Sequence, residues 1–493
     1  MILLRRFFFG VFVAAYLVLC PLTILYALGY LVRPGMERGI VKTGLVYLAT
    51  TPSGATVYLG QKRYTGTTPA VLRGLLPGEY SVRLVLKHYR PWAGMVRVVA
   101  ERATVLDRVL LLPESRSPEV VVAEPSDEIV SLGEGEALLL VRGSRLEDVA
   151  CYHRVEGGSQ PLPLPDASWR EARVMSWTLV PGSDAAIARA RDTSGSIRYL
   201  RIRLRGRQLQ ADDLSSFFVG RRPDRIAWDL DDADRLFILQ DGVLDRVDLM
   251  AKAIYPRMAE RVLGYGCADG AVYVLTDDYL IRRFDRDGTE KARYFLDQPL
   301  QVLLAGRSDG WRIVRVSDDL FLLWGESGEL FVTRPPYRLA DAGIEGVEPD
   351  VKRERVAFWR GEEVGVLDVV ASGRHAERDD ADTDMTVRWW PDAGESIEQL
   401  AWVYDGSHIL LRQRDRVALM ALVGPEQPEW RELLRVRRGS RVEYVEASGL
   451  VYYLDERLGR LCAWPLVVRS EASIAPLLRW PEEVVERARG REL

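Results

Sequence analysis

Residues 401–411, AWVYDGSHILL, contain an apolar strand, a tight turn at Asp405-Gly406-Ser407 and a second apolar strand. Residues 227–239, AWDLDDADRLFIL, repeat this order. Further copies centre on Asp269-Gly270, Asp309-Gly310 and Ser448-Gly449, and fainter ones lie near Glu136, Asp184 and Lys352. The copies recur about every 40 to 50 residues, which is the length of one four-stranded blade of a β-propeller.

These repeats predict an all-β fold in which a β-propeller covers residues 120–470. The copies indicate about eight blades, with seven as the alternative because the early copies are faint. A ring suits such a chain, because each sheet buries a face on the next and closure removes open strand edges. The copies resemble the divergent repeats of WD40-like and TolB-like propellers. A pair of stacked β-sandwiches is the main alternative architecture.

Length and composition predict a folded chain of several domains. The chain has 493 residues, of which 47% are hydrophobic and 28% are charged. One hydrophobic core stops growing at roughly 250 to 300 residues, so we expect two domains or more. The net charge of -4 comes from 67 basic and 71 acidic residues that are interspersed. This balance predicts that nucleic acid is not a partner.

The N-terminus contains an apolar segment long enough to cross a membrane. Residues 7–32 carry no charge, and Arg5 and Arg6 precede them. As a helix, the segment would be about 39 Å long, which exceeds a hydrocarbon core of roughly 30 Å. The sequence therefore predicts an uncleaved single-pass transmembrane helix over residues 7–32. Residues 1–6 would form a cytoplasmic head, and the bulk of the chain would lie outside the cytoplasmic membrane.

Alternating segments between residues 43 and 113 predict a small β domain. They are rich in β-branched and aromatic side chains, as strands with one buried face are, and they lie at residues 45–48, 55–59, 80–86 and 96–99. Proline and glycine at residues 52–54 and 76–79 supply the backbone angles of tight turns. The pattern predicts a sheet that buries one face.

The same region resembles the PEGA domain family. Four stretches match the family pattern in order and spacing: TPSGATVY at 51–58, GTTP at 66–69, LLPGEY at 75–80 and YRPW at 89–92. Ser53 departs from the Glu of the family name at a turn, and the preceding apolar segment is similar to the anchors of membrane-tethered bacterial PEGA proteins. The resemblance implies a small β-sandwich that acts as a binding module or as a spacer in envelope proteins. It implies no catalytic residues. We expect this sandwich at 43–113, a linker at 114–119 and a C-terminal tail at 471–493.

Two pairs of aromatic side chains are candidates for ligand contact. Tyr89 and Trp92 offer flat faces for a sugar ring, although both also suit the core or the edge of the sandwich. Trp389 and Trp390 are adjacent, so they cannot both point inward on one strand, and an outward ring would anchor a partner. A bulge or a bend at these tryptophans is the alternative.

The sequence predicts no catalytic, cofactor-binding or metal-binding residues. The segment GESG at 325–328 has the wrong spacing for a serine-hydrolase elbow, and the histidines are too dispersed for a metal site. The four cysteines form no Cys-x-x-Cys motif. The acidic stretch at 379–384 offers oxygen ligands for calcium, but Met385 and Pro391 stand where such a loop needs Gly and Glu. A solvated insertion between blades is therefore favoured.

Together these features predict a membrane-tethered, non-enzymatic binding or scaffolding protein of the bacterial cell envelope. The helix would tether the chain, the PEGA-like module would contact the wall or act as a spacer, and the propeller would recognise a protein or a glycan. The alternative is a propeller-based hydrolase or lyase acting on envelope polymers, because propeller active sites draw on distant loops. A third interpretation is an assembly role within a larger envelope complex.

Overall fold

The computed structural model describes most of the chain in two compact units. The described residues are 2–27, 30–32, 40–114, 118–133, 135–155, 157–179, 184–206, 208–221, 223–229, 232–307, 310–370, 384–391, 393–422 and 430–467. The division between the units falls after residue 117.

The first unit begins with a helix and a short hairpin. Helix α1 is Ile2–Ala27, and strand β1, Tyr30–Val32, pairs antiparallel with β2, Ile40–Lys42. Over the part of the chain that the structure describes, no helix is long and apolar enough to cross a membrane.

The prediction of a single helix over residues 7–32 is wrong at both ends. Helix α1 includes most of the expected head, and the last three residues of the apolar segment form β1. Aromatic and β-branched residues favour strands, and here Tyr30 and Val32 lie opposite Lys42 and Ile40 in the antiparallel pair. An apolar run does not by itself distinguish a helix from a strand, so this boundary could not be predicted from the sequence.

The rest of the first unit is a sandwich of two sheets. Its strands are β3 Gly44–Thr51, β4 Thr56–Leu59, β5 Lys62–Thr67, β6 Ala70–Leu75, β7 Gly78–Val85, β8 Trp92–Val98 and β9 Ala103–Leu110. One sheet has the order β6-β3-β9 and the other the order β5-β4-β7-β8. This arrangement agrees with the predicted small sandwich, although β5, β6 and β9 were not predicted.

Strand β3 shows why these residues form a sandwich. Every second residue of β3 is buried, and Val46 and Leu48 pack in one core with Val57 and Leu84 of the other sheet. Burying an aliphatic side chain of this size stabilises the fold by roughly 1.5–3 kcal/mol. The alternation of β3 therefore fixes which face of its sheet meets the second sheet.

The second unit contains four-stranded antiparallel blades, and the described residues form eight of them. Blade 1 has β11 Glu128–Leu132, β12 Ala137–Val141, β13 Val149–His153 and β14 Gly158–Pro161. Blade 2 has β15 Arg173–Leu179, β16 Ala185–Arg191, β17 Ile197–Arg205 and β18 Gln208–Asp213. Blade 3 has β19 Arg225–Asp229, β20 Asp232–Gln240, β21 Val243–Asp248 and β22 Ala253–Ala259. Blade 4 has β23 Val262–Ala268, β24 Ala271–Thr276, β25 Leu280–Phe284 and β26 Glu290–Phe295.

Helix α2, Gln298–Leu304, leads into the remaining blades. Blade 5 has β27 Trp311–Arg315, β28 Phe321–Trp324, β29 Leu330–Val332 and β30 Arg338–Ala340. Blade 6 has β31 Gly346–Asp350, β32 Arg355–Arg360, β33 Glu363–Val370 and β34 Asp384–Trp390. Blade 7 has β35 Ile397–Val403, β36 His408–Gln413, β37 Arg416–Ala421 and β38 Trp430–Arg435. Blade 8 has β39 Glu443–Val445, β40 Leu450–Leu454, β41 Leu461–Pro465 and, at its edge, the N-terminal strand β10 Glu119–Val122.

Four short 3₁₀ helices complete the described secondary structure, at Leu146–Asp148, Ala167–Trp169, Ser215–Phe218 and Val351–Arg353. Apart from α1 and α2, the described chain is therefore built from strands and their connections. This agrees with the predicted predominance of β-structure.

Neighbouring blades pack face to face in chain order, as in a propeller. Apolar clusters join blade 1 to blade 2, blade 2 to blade 3, blade 3 to blade 4, blade 4 to blade 5 and blade 5 to blade 6. A further cluster, which contains Tyr152 and Tyr452, joins blade 8 to blade 1. The unit is therefore propeller-like, and its cores lie between the blades.

The predicted repeat copies fall at one structural position in seven of the blades described above. They lie at the connection between the first and the second strand, as Gly270 and Gly449 illustrate. Both glycines have positive φ, which the turn requires and which glycine adopts at little cost. The exception is blade 5, where Gly310 precedes the first strand and residues 316–320 form the equivalent connection.

Blades 4 and 5 are joined more closely than face-to-face packing allows. Strand β23 pairs in parallel with β27, so the two blades form one eight-stranded sheet. Gly264 and Gly266 make this approach possible, because a Cβ atom at either position would overlap the carbonyl oxygen of Trp311 or Ile313. The absence of two side chains thus allows backbone hydrogen bonding between blades.

We predict that Gly266→Ala destabilises the protein by about 1–3 kcal/mol or more, because the added methyl group forces β23 and β27 apart. The control is Gly158→Ala in β14, where the added Cβ would have no heavy atom within 4 Å. Urea unfolding of both variants measures the difference in the free energy of unfolding. Equal stability of the two variants would contradict the proposed role of the close approach.

Candidate functional site

The first strands of neighbouring blades in the second unit bring polar side chains close to one another. First strands of neighbouring blades contact one another, as β15 and β19, β19 and β23, and β31 and β35 do. In a propeller these strands surround the central channel. We therefore call the first-strand side chains of this unit the channel wall.

Two carboxyl groups of the channel wall form no ion pair among the residues that the structure describes. Glu348 lies on β31 of blade 6 and Glu443 on β39 of blade 8. Both side chains are partly accessible to solvent, and neither carboxylate forms a hydrogen bond or an ion pair with the residues that the structure describes.

The environment of these two groups favours their protonated forms. Burial raises the pKa of Glu348 to about 7, and repulsion by Glu443 adds to the shift. Burial also raises the pKa of Glu443 to about 7, and the nearby guanidinium of Arg441 opposes this shift. At neutral pH the pair is therefore close to half protonation, so that a small change in surroundings changes its charge.

Blade 7 lies between the two glutamates and holds their strands. The side-chain amide of Gln399 donates a hydrogen bond to the carbonyl oxygen of Val442 at 2.8 Å and accepts one from its backbone N–H at 3.0 Å. The indole N–H of Trp402 donates to the carbonyl oxygen of Glu348 at 2.9 Å. Strand β35 thereby fixes the backbone at Glu348 and next to Glu443.

Blade 1 adds a third carboxyl group. Burial raises the pKa of Glu128, the first residue of β11, and Arg441 opposes the shift. The Nε atom of Arg441 lies 3.9 Å from Oε1 of Glu128. Blades 6, 8 and 1 therefore form an acidic arc, and Arg441 lies close to two of its carboxyl groups.

Blades 3 to 5 form a basic arc of the channel wall. Arg225 donates a hydrogen bond to the carbonyl oxygen of Tyr265 at 2.8 Å, and its guanidinium lies 4.5 Å from the centre of that ring. The guanidinium of Arg312 lies 4.7 Å from the ring centre of Trp324. Burial, followed by repulsion from Arg225, lowers the pKa of Arg312. The channel wall is therefore divided into an acidic and a basic arc.

The predicted tryptophan pair is divided between two environments. Trp389 packs against the apolar cluster between blades 5 and 6, with its ring edge-to-face on Phe358 at 4.9 Å. Trp390 is half-buried, and the guanidinium of Arg388 lies 5.5 Å from its ring centre. Trp389 thus belongs to the core, and Trp390 retains part of its surface for contact.

The aromatic pair predicted on the sandwich lies mostly in its core. Trp92 is only 7% exposed and packs in the sandwich core, and Tyr89 is packed partly against the same core. Trp92 is buried because Gly94 leaves room for its ring on the same face of β8. A hollow of about 610 Å³ on this domain is lined by residues 77–79 and 97–100, which include neither aromatic side chain.

The acidic stretch at 379–384 lies outside the described residues except for Asp384, which begins β34. Among the described residues, no group of three or more His, Cys, Asp and Glu side chains is placed to hold a metal ion. No disulfide joins the four cysteines. The calcium hypothesis therefore stays untested.

Comparison with known proteins identifies one part of the chain. Residues 43–111 match the model of the PEGA domain. The chain carries a PEGA domain. No curated protein matches its sequence. The PEGA match coincides with the two-sheet sandwich and supports the resemblance found in the sequence.

Several solved structures are similar to this chain at low sequence identity. The chain is similar to the β-propeller domain of Cps50 from Myceliophteria thermophila, with 11% identity, a TM-score of 0.37 and coverage of 71% of this chain and 99% of that chain. It is also similar to a eukaryotic initiation factor, with 12% identity, a TM-score of 0.42 and coverage of 79% and 94%. A third is PorZ, a surface component of the type-IX secretion system of Porphyromonas gingivalis, with 10% identity, a TM-score of 0.36 and coverage of 68% and 42%. These likenesses concern the fold alone.

The sequence analysis missed the glutamates and arginines of the channel wall. Their signal is a charged residue inside an otherwise apolar first strand, as in VEP at 347–349 and VEY at 442–444. Glu348 lies within β31 and Glu443 is the first residue of β39, and each follows a valine in the sequence. Such a residue suggests a polar environment at the inner strand, but the sequence does not show which glutamates meet.

The raised pKa of Glu443 predicts the direction of a pH effect on stability. The folded state retains the proton between pH 4.5 and about 7, where the unfolded chain loses it. The free energy of unfolding therefore falls as the pH rises through this window, by about 1.4 kcal/mol for each unit of pKa difference. We expect Glu443→Gln to reduce this fall and to be more stable than the unmodified protein at pH 8.

Urea unfolding between pH 5 and pH 8 measures this effect, with the exposed Glu362→Gln as the control that keeps the original slope. Burial lowers the pKa of His408 to about 4, which gives a slope of opposite sign below pH 6.5. This contribution is common to all variants and cancels in their differences. A Glu443→Gln protein with an unchanged slope would show that the carboxyl group is not buried.

Proposed function

We propose that this protein is a binding or scaffolding protein tethered to a bacterial membrane by α1. In this proposal the bulk of the chain lies outside the cytoplasmic membrane. The PEGA domain contacts the cell wall or acts as a spacer, and the eight blades close into a propeller that recognises a protein or a glycan of the envelope.

The surface of α1 supports the tether. Apolar side chains on all sides of the helix are exposed, including Phe9, Phe12, Leu17 and Val18 at 60% or more. A helix that is apolar all round is normally covered by protein or by lipid, because water solvates such a surface poorly. Together with the uncharged run at residues 7–32, this exposure favours lipid as the surroundings of α1.

The divided channel wall carries the recognition part of the proposal. Glu348 and Glu443 would bind a basic or hydroxyl group of the partner. Arg225 and Arg312 would bind a carboxylate or another anion. A partner that presents both kinds of group relieves the repulsion within each arc. We therefore expect the partner to be polar and to carry charges of both signs at the contact.

The same two glutamates also favour the alternative, an envelope hydrolase or lyase. A carboxyl group with a pKa near 7 suits general acid–base catalysis at neutral pH. Binding remains the leading proposal because basic side chains stand in the channel wall as well as the two carboxyl groups, and a binding surface uses both. In the alternative, Glu348 and Glu443 would be the acid and the base.

The tether is tested by fractionation of cells that express the full chain. We expect the protein to sediment with membranes and to resist carbonate extraction, and its propeller to be cleaved by protease added to intact spheroplasts. Leu17→Arg combined with Val18→Arg should release the chain, because each arginine costs about 2.5–3.5 kcal/mol at the centre of a span.

The matched control is Val105→Arg, which changes an exposed valine of β9 and should leave the protein in the membrane fraction. Recovery of the unmodified chain in the soluble fraction would refute the tether. Protection of the propeller in intact spheroplasts, with cleavage after lysis, would refute the extracytoplasmic placement.

A further inference from the structure

Cys151 and His153 form an isolated pair of soft-metal ligands in blade 1. They are two residues apart on β13, so their side chains lie on the same face of the strand. The Sγ atom of Cys151 lies 3.6 Å from Nε2 of His153. Both residues are buried, with 1% and 6% of their surface exposed.

The pair lines a cavity between blade 1 and blade 2. The cavity has a volume of about 440 Å³, and its wall includes Gln160 of β14 and Gln208 of β18. Gln160 is the cross-strand partner of Cys151, so its amide lies on the same face of the sheet. The space can therefore hold an ion together with water or an amide oxygen as a further ligand.

The spacing of the two atoms fits a shared metal ion. With bond lengths like those of zinc, about 2.3 Å to sulfur and about 2.0–2.1 Å to imidazole nitrogen, the two ligand atoms of a shared ion lie about 3.6 Å apart at a tetrahedral angle and slightly farther apart at the wider angle of a three-coordinate ion. An S–H···N hydrogen bond has a similar length. Metal binding would therefore require little movement of either side chain.

We propose that Cys151 and His153 bind one copper(I) ion, with water or Gln160 at the third position. Thiolate is a soft ligand that copper(I) prefers, and imidazole also suits copper. One thiolate, one neutral imidazole and one monovalent cation have no net charge, which suits a buried site. A zinc ion would leave a positive charge there and normally takes three or four protein ligands.

Binding exchanges a proton for the metal ion and transfers no electron. The S–H bond of Cys151 breaks, the proton goes to solvent, and a copper–sulfur bond forms. His153 contributes the lone pair of its neutral ring. The hydrogen bond between the two side chains is thus replaced by two metal–ligand bonds.

The test is titration of the purified full chain in detergent with copper(I), under anaerobic and reducing conditions, against the chromophoric chelator bicinchoninate. Cys151→Ser and His153→Gln should each lower the number of tightly bound copper ions by one, through a weakening of at least about tenfold. Cys462→Ser is the matched control, because Cys462 is also a buried thiol on the third strand of a blade. It should leave the number unchanged.

Circular dichroism establishes that each variant is folded before titration. If Cys151→Ser unfolds, His153→Gln alone decides the question, because it keeps the thiol and removes only the imidazole. Failure of the unmodified chain to compete with the chelator would overturn the proposal. An equal loss in Cys462→Ser, or full retention in a folded His153→Gln, would do the same.

Discussion

The pairing of β10 with β41 is the constraint on which the second unit depends. Val120 lies opposite Cys462 in this antiparallel pair, although more than three hundred residues separate them in the chain. An ion pair between Arg437 and Asp127 at 2.6 Å reinforces the same junction. Because β10 supplies the fourth strand of blade 8, the N-terminal strand of the unit is hydrogen-bonded to its C-terminal strand. In the proposed closed propeller, this pairing would join the two ends of the ring of blades and so shape the channel wall.

Local patterns in the sequence predicted the blades well but not the connections between them. The turn residues around Gly270, Gly406 and Gly449 mark the connection between first and second strands, because positive φ and short polar side chains are needed there. Nothing local distinguishes β10 from any other short apolar strand, since its partner is remote in sequence. The parallel junction at Gly264 and Gly266 was missed for the same reason. This junction depends on the two glycines having no side chain where β23 faces the backbone of blade 5.

For the candidate site too, local sequence could be interpreted, but contacts between residues remote in sequence could not be predicted. The aromatic candidates came from residue type and from the adjacency of two tryptophans. Burial distinguishes them: Trp92 and Trp389 pack in cores, whereas Trp390 keeps part of its surface. Glu348 and Glu443 are ordinary residues of two separate strands until the blades assemble. Blade 7 then positions both strands through Trp402 and Gln399. The raised pKa values of these two carboxyl groups are thus a property of the assembled unit, and only its three-dimensional structure reveals them.

Ring closure is tested most directly by a cross-link across its junction. Directly opposite residues of an antiparallel pair have Cα atoms about 4.5–5.5 Å apart, which a disulfide spans. Closure predicts that Val120→Cys, upon mild oxidation of the full chain, forms a disulfide with the native Cys462, detected by mass spectrometry of the linked peptides. Val121→Cys, at the irregularity of the same pairing, should cross-link far less. Equal, low cross-linking of both variants would show that β10 does not close the ring.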